Sequence, residues 1–330
     1  MSFRARLASV CAALAVLAGL FLLGLLLPQG GREARAVEMP LLPLSSPAEI
    51  TGMEIHPGEA PQGGRREGRQ GDRQAVLELH RTEAGWEARE GGQVWPASSD
   101  RAEALAGLVA GLRRGRLVSS DPARRGELGL EGGALLVLRR GEGRPELRLR
   151  IGGRAPGGQE DYLSLEGRPE VYLVRGNLSV LLAQDRAYWL NLYVFPNEVR
   201  GETIARIAVR GQVPAGAGEP PIRGGYTLAR SGDSWTLDGR PADAPAAQAM
   251  AEALAQLEGD DLLEANAAPP ASAGGLEAMV STLDGRTWSF LAQWQGDRLL
   301  LRPSGSSWVY PVNPRLLARA ILPPEELLRR

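Results

Sequence analysis

Side chains that could catalyse a reaction or bind a metal are few and widely spaced in this sequence. The only histidines are His56 and His80, and the single cysteine, Cys11, lies in an apolar N-terminal segment. Zinc sites use cysteine, histidine and carboxylate ligands at short recurring spacings, which these residues do not form. The chain contains no lysine, which excludes a Walker A phosphate loop and lysine Schiff-base chemistry. We therefore predict no metal site and no cofactor.

Serine and carboxylate patterns give no stronger indication of catalysis. The segment Ser304–Ser307 is typical of a hairpin turn, and no Gly-x-Ser-x-Gly nucleophile elbow is present. A group of four carboxylates follows a predicted helix: Glu258, Asp260, Asp261 and Glu264. It lacks the alternating ligands and fixed glycine of a calcium loop, so we interpret it as a solvated helix end. We predict no catalytic residue, with a hydrolase as the least favoured alternative.

Composition narrows the class of protein. The formal net charge is −1 at pH 7, which argues against a nucleic-acid-binding protein, since these are usually basic. Hydrophobic residues make up 43% of the chain, which is enough for a sizeable core. A single cysteine cannot form an intrachain disulfide, so packing alone must hold the fold.

The N-terminal segment Leu7–Leu27 contains no charged side chain. A helix of that length, rising about 1.5 Å per residue, would span roughly 31 Å, which is close to the thickness of a bilayer core. Arg4 and Arg6 precede it and favour a cytoplasmic N-terminus. We predict a single-pass anchor in the bacterial cytoplasmic membrane, with the bulk of the chain extracytoplasmic. The alternative is a signal peptide cleaved near Ala34–Ala36, which would export the same part of the chain.

One local plan occurs twice. In Ala75–Leu112 a strand and a glycine turn precede Trp86 and an amphipathic helix, and Tyr226–Leu257 repeats this order around Trp235. Short alternating strands joined by turns follow each copy, which favours antiparallel pairing. We therefore predict an α+β fold: two tandem repeat units of mainly antiparallel β-sheet, each with a packed helix, preceded by one transmembrane helix.

The corresponding domain organisation has four parts. Residues 1–31 form a cytoplasmic tail and anchor, and residues 32–47 form a proline-containing tether. Residues 48–200 and 201–330 form the first and second units.

An aromatic run lies at the boundary between the predicted units. It contains Tyr188, Trp189, Tyr193 and Phe195. Packing between the two units is one interpretation, and an exposed surface that binds a partner protein is the other. These four residues are our candidate partner-binding residues.

Several short motifs occur in a characteristic order along the chain. They include Gly-Glu-Leu-Gly-Leu at Gly126–Leu130, Leu-Arg-Ile-Gly at Leu149–Gly152 and Val-Tyr-Leu-Val at Val171–Val174. In these motifs, and in the apolar segment that precedes them, the chain resembles the bacterial domain-of-unknown-function 4340 family. The resemblance implies a membrane-anchored envelope protein, often associated with ABC-2-type export or gliding-motility-like systems. It carries over no catalytic residue.

Together these patterns predict a non-catalytic, membrane-anchored extracytoplasmic accessory or scaffold protein, an auxiliary component of an ABC-type export or envelope system. Its expected partners are the membrane, through Leu7–Leu27, and another envelope protein or a transporter subunit, but no nucleic acid. The alternative is a periplasmic glycan- or lipid-binding module, with a groove between the two units lined by Trp189 and Tyr193.

Overall fold

The computed structural model describes residues 39–58, 76–216, 219–264 and 274–328. The apolar segment Leu7–Leu27 lies outside these ranges. No helix within them is long and apolar enough to cross a membrane.

The first sheet contains nine strands. In chain order they are β1 (Ile50–His56), β2 (Leu77–Thr82), β3 (Gly85–Glu90), β4 (Gln93–Pro96), β5 (Leu117–Ser119), β6 (Ala134–Arg140), β7 (Leu147–Arg154), β8 (Glu160–Leu165) and β9 (Val171–Arg175). Across the sheet they lie in the order β4-β3-β2-β1-β6-β7-β8-β9-β5, and all neighbours are antiparallel.

The second sheet contains ten strands. They are β10 (Ile204–Val213), β11 (Ile222–Arg223), β12 (Tyr226–Ser231), β13 (Ser234–Leu237), β14 (Arg240–Pro241), β15 (Leu263–Glu264), β16 (Leu276–Thr282), β17 (Thr287–Gln295), β18 (Arg298–Pro303) and β19 (Trp308–Val312). Their order is β14-β13-β12-β10-β16-β17-β18-β19-β15, with β11 paired only to β10.

Six α-helices lie within the described residues, and each is short. They are α1 (Ser99–Ala110), α2 (Leu178–Leu182), α3 (Arg186–Trp189), α4 (Ala244–Ala255), α5 (Pro314–Ala320) and α6 (Pro324–Leu327). Two 3-10 turns also occur, at Pro47–Glu49 and Pro122–Arg124.

The predicted fold class is wrong. Of the described residues, 43% lie in strands and 19% in helices, both sheets are antiparallel, and no helix among these residues could span a membrane. The physical reason is that most connections between strands are tight turns, which let successive strands pair directly. The few helices cover sheet faces and contribute little length.

The two sheets have the same strand order. In both, three hairpin-linked strands lead to a helix of 12 residues, α1 or α4, and the next strand pairs at the far edge. Each of these helices begins at a capping side chain, since Ser98 accepts a hydrogen bond from the Arg101 N–H and Asp243 from the Ala246 N–H. The chain therefore builds the same layout twice.

A single apolar core extends across both halves. The helices contribute alternating small and large side chains to it, including Leu105 and Val109 of α1 and Met250 and Leu254 of α4. Full burial of each large aliphatic side chain contributes about 1.5–3 kcal/mol relative to exposure. The core thus stabilises the two sheets together.

The motif Gly126–Leu130 packs against the opposite face of the first sheet. Leu128 and Leu130 form a small separate cluster there with Val171 of β9. Gly129 has φ +69°, in the left-handed region that favours glycine. The motif therefore has a structural role as a cover for β7–β9.

Candidate functional site

The segment Leu190–Val194, which we call the junction segment, connects the two halves through backbone hydrogen bonds. The Asn191 N–H donates to the Pro96 carbonyl at 2.9 Å in the first half. In the second half, the Val194 N–H donates to the Leu257 carbonyl at 2.9 Å, and the Gly259 N–H donates to the Leu192 carbonyl at the same distance. The junction segment therefore joins the two halves through isolated β-bridges, Leu190 with Ala97 and Tyr193 with Glu258.

The four predicted partner-binding residues differ in accessibility. Trp189 and Phe195 are 1% and 2% exposed, and Phe195 packs on Phe290 of β17 with ring centroids 5.6 Å apart. Tyr193 is 37% exposed, and Tyr188 is half-buried. Of the four side chains, only those of Tyr188 and Tyr193 are accessible to a partner.

Both accessible tyrosines lie beside charged groups. The Arg101 guanidinium lies over the Tyr188 ring, 4.8 Å from its centroid, and also donates to the Tyr188 carbonyl. The Glu258 carboxylate raises the pKa of Tyr193, and partial burial acts in the same direction. The Tyr193 phenol therefore ionises less readily than that of a free tyrosine.

One arginine joins the two halves electrostatically. The Arg186 Nη2 of α3 contacts both carboxylate oxygens of Asp261, at 2.9 and 2.8 Å. Its Nη1 lies 3.7 Å from Glu90, and its guanidinium lies 4.6 Å from the Trp95 ring centroid. We call these four residues the Arg186 clamp. Sequence reasoning missed it because Arg186 and Asp261 are 75 positions apart and share no local pattern.

The clamp predicts a measurable coupling between Arg186 and Asp261. A double-mutant cycle with Arg186→Ala and Asp261→Ala is expected to give a coupling energy of about 1 kcal/mol, since the pair is charge-assisted yet partly solvated. Urea unfolding of the four full-length proteins measures it. The exposed pair Arg200–Glu202, 3.9 Å apart, is the matched control and should couple far more weakly. Equal coupling in both cycles would contradict the role of the clamp.

A recess opens beside Asp261 on the second half. It has a volume of about 420 Å³, within the range of small-molecule sites. Its polar and aromatic lining residues are Asp260, Asp261, Trp294, Asp297, Arg298 and Asn313. The Trp294 indole N–H donates to the Pro214 carbonyl at 2.8 Å, which fixes the ring in place. Burial raises the pKa of the Asp260 carboxyl.

Two of the four carboxylates interpreted as a solvated helix end, Asp260 and Asp261, line the recess instead. Asp260 and Asp261 lie after α4, where Asp261 accepts from Arg186 and from the Leu262 N–H at 2.8 Å. The Asp260 N–H donates to the Pro311 carbonyl of β19 at 2.7 Å. Both residues are therefore held against the second sheet. No sequence signal indicated that Trp294, near the end of β17, and Asp297, in the turn after it, would lie beside them.

The two histidines lie on one face of the first sheet, each beside a glutamate. His80 Nε2 lies 2.9 Å from Glu78 and lowers the pKa of that carboxyl, and His56 Nε2 lies 3.4 Å from Glu54. Arg139 contacts both glutamates. Within the described ranges, no group of three or more potential ligands could hold a metal ion. These residues form a surface ion-pair network.

Fold and site together define a two-sheet antiparallel β protein with charged residues at the junction and a recess in the second half. The family model described as "Domain of unknown function (DUF4340)" matches residues 86–278, from β3 to β16 and across the junction. This is more than half of the chain, and the protein belongs to that family. No curated protein and no solved structure matched the chain. The family resemblance is thus confirmed, whereas membrane anchoring and an association with ABC-type export stay predictions.

Proposed function

We propose that this protein is a non-catalytic accessory or scaffold protein of the bacterial cell envelope, serving an ABC-type export or related system. In this proposal the apolar segment Leu7–Leu27 attaches it to the cytoplasmic membrane, and both sheets lie outside the cytoplasm. The absence of charged side chains from that segment supports its insertion into the membrane, and Arg4 and Arg6 before it support the orientation.

The observation that carries the proposal is that two sheets with the same strand order pack around one shared core. A continuous core, the junction segment and the Arg186 clamp all connect the two halves. Two halves held together by such contacts suit a protein that holds others in position, since little conformational freedom is then lost when a partner binds. The accessible aromatic residues at the junction, Tyr188 and Tyr193, lie where a partner could contact both halves.

Site-specific photocrosslinking in the native membrane tests this function. A photoreactive phenylalanine analogue at Tyr193 is expected to crosslink to a transporter subunit or another envelope protein, identified by mass spectrometry. The same analogue at Leu283, a 69% exposed residue at the β16–β17 turn, is the control and should give weaker crosslinks to that protein. Failure to recover any membrane or envelope partner from Tyr193 would count against the scaffold function.

A second candidate function is a periplasmic glycan- or lipid-binding module. The recess next to Asp261 is the specific observation that favours it. The groove that the sequence suggested would have used Trp189, but that side chain is buried in the core. In this candidate function the ligand therefore binds in the recess of the second half, beside the junction.

A further inference from the structure

We propose that the recess binds a saccharide that carries an amino group, with Trp294 as the aromatic wall against which the sugar ring packs. This inference rests on the second candidate function, ligand binding, and names its ligand class and site. It depends on three features: the fixed aromatic side chain of the recess, polar side chains in its lining that have no partner among the described residues, and the different residues at the equivalent positions of the first half.

The aromatic wall is fixed before any ligand binds. Trp294 is half-buried at the end of β17, and its indole N–H is occupied by the Pro214 carbonyl at 2.8 Å. Leu299 and Val312 are buried beneath the same recess. A fixed ring and an apolar floor favour the carbon face of a pyranose, because packing there buries apolar surface without ordering a mobile side chain.

The polar groups around this wall are free to bind a ligand. The side chains of Asp260, Asp297 and Arg298 make no hydrogen bond or ion pair with another residue in the described part of the chain. Such groups can accept from and donate to ring hydroxyls. Asp261 is paired with Arg186, but Asp260 and Asp297 against Arg298 still give the lining a net negative charge, which favours a ligand that carries an ammonium group.

The first half carries different residues at the corresponding positions of its sheet. Pairing places Arg154 opposite Asp161 on β7 and β8, where the second half has Trp294 opposite Leu299 on β17 and β18. Arg154 donates to the Asn177 side chain at 2.8 Å, and Asp161 is fully buried and accepts from the Ser179 hydroxyl.

In the first half, Arg154 and Asp161 therefore form hydrogen bonds with residues of the protein itself. In the second half the same two positions carry an indole and an aliphatic side chain, and the side chains of Asp260, Asp297 and Arg298 lie around them without a partner among the described residues. The second half therefore has the same strand order as the first but carries a recess lining suited to a ligand.

Binding of the β-1,4-linked glucosamine trimer to the full-length protein in detergent, measured by isothermal titration calorimetry, tests the proposal. We expect saturable binding, weakened about tenfold by Trp294→Ala through loss of the aromatic contact. Asp297→Asn keeps the ring and is expected to weaken binding several-fold, more at low than at high salt. Trp288→Ala, a half-buried tryptophan of the same strand outside the recess, is the matched control and should bind like the unaltered protein.

The N-acetylated trimer is the neutral counterpart and is expected to bind at least several-fold more weakly. Absence of saturable binding by the glucosamine trimer, or equal binding by Trp294→Ala, would overturn the site. Equal affinity for the two trimers would overturn the requirement for an amino group. The photocrosslinking result at Tyr193 does not depend on these titrations, so the scaffold function can fail or succeed separately.

Discussion

Replacing Trp189 with alanine is expected to lower the free energy of unfolding by about 3–5 kcal/mol, as for other fully buried aromatic residues. Its side chain is 1% exposed and packs edge-to-face on Tyr188, with ring centroids 5.0 Å apart. Its carbonyl also accepts from the Ser98 N–H at 2.8 Å, at the start of α1. Truncation would leave a cavity where the first half meets the junction segment. Urea unfolding of the full-length protein measures the loss.

Two further variants separate packing from other effects at this position. Trp288→Ala removes a half-buried tryptophan and is expected to cost about 1 kcal/mol. Trp189→Phe keeps an aromatic ring and removes an indole N–H that makes no hydrogen bond with any described residue, so most of the stability should remain. If Trp189→Ala costs no more than Trp288→Ala, the junction does not depend on this side chain.

Replacing Gly152 with alanine is expected to cost about 1–3 kcal/mol through steric overlap. A Cβ atom at this buried position of β7 would lie 2.3 Å from the Leu128 carbonyl oxygen and 3.1 Å from the Leu130 Cγ. Backbone atoms cannot rotate away as a side chain can, so the Gly126–Leu130 motif would have to move off the sheet. Hydrogen exchange in that segment should rise along with the loss of stability.

Gly153 provides the matched control one residue further along. A Cβ atom there would meet nothing closer than 3.8 Å, so Gly153→Ala should change stability by about 0.5 kcal/mol or less. The contrast between adjacent glycines isolates the overlap from any general effect of alanine in a strand. Similar losses for the two variants would refute the close approach of Leu128 to β7.

Local patterns anticipated many of the elements. Alternation of leucine with Arg148 and Arg150 predicts a half-buried strand, and the structure has β7 at Leu147–Arg154. The tryptophans of the two copies, Trp86 and Trp235, are both the second residue of their strand and both buried. These features follow from neighbouring residues alone, since strand alternation and turn formation involve only a few consecutive positions.

The fold class and the candidate site depended on more than local patterns. Apolar periodicity indicated α1 and α4. It could not show that helices would make up far fewer residues than antiparallel strands. The aromatic run was predicted to lie at the junction, but burial could not be read from residue type. Trp189 and Phe195 turned inward because the two halves share a core, which leaves Tyr188 and Tyr193 accessible.

The sequence by itself determined the family, the repeated order of strands and turns, and the charge-free N-terminal segment. The tertiary structure alone decided the Arg186 clamp and the recess. Arg186 meets Asp261, and Trp294 lies near Asp260, only after two sheets have formed and packed together. Such contacts join residues on separate elements, and the order of strands within a sheet, rather than distance along the chain, sets which side chains become neighbours.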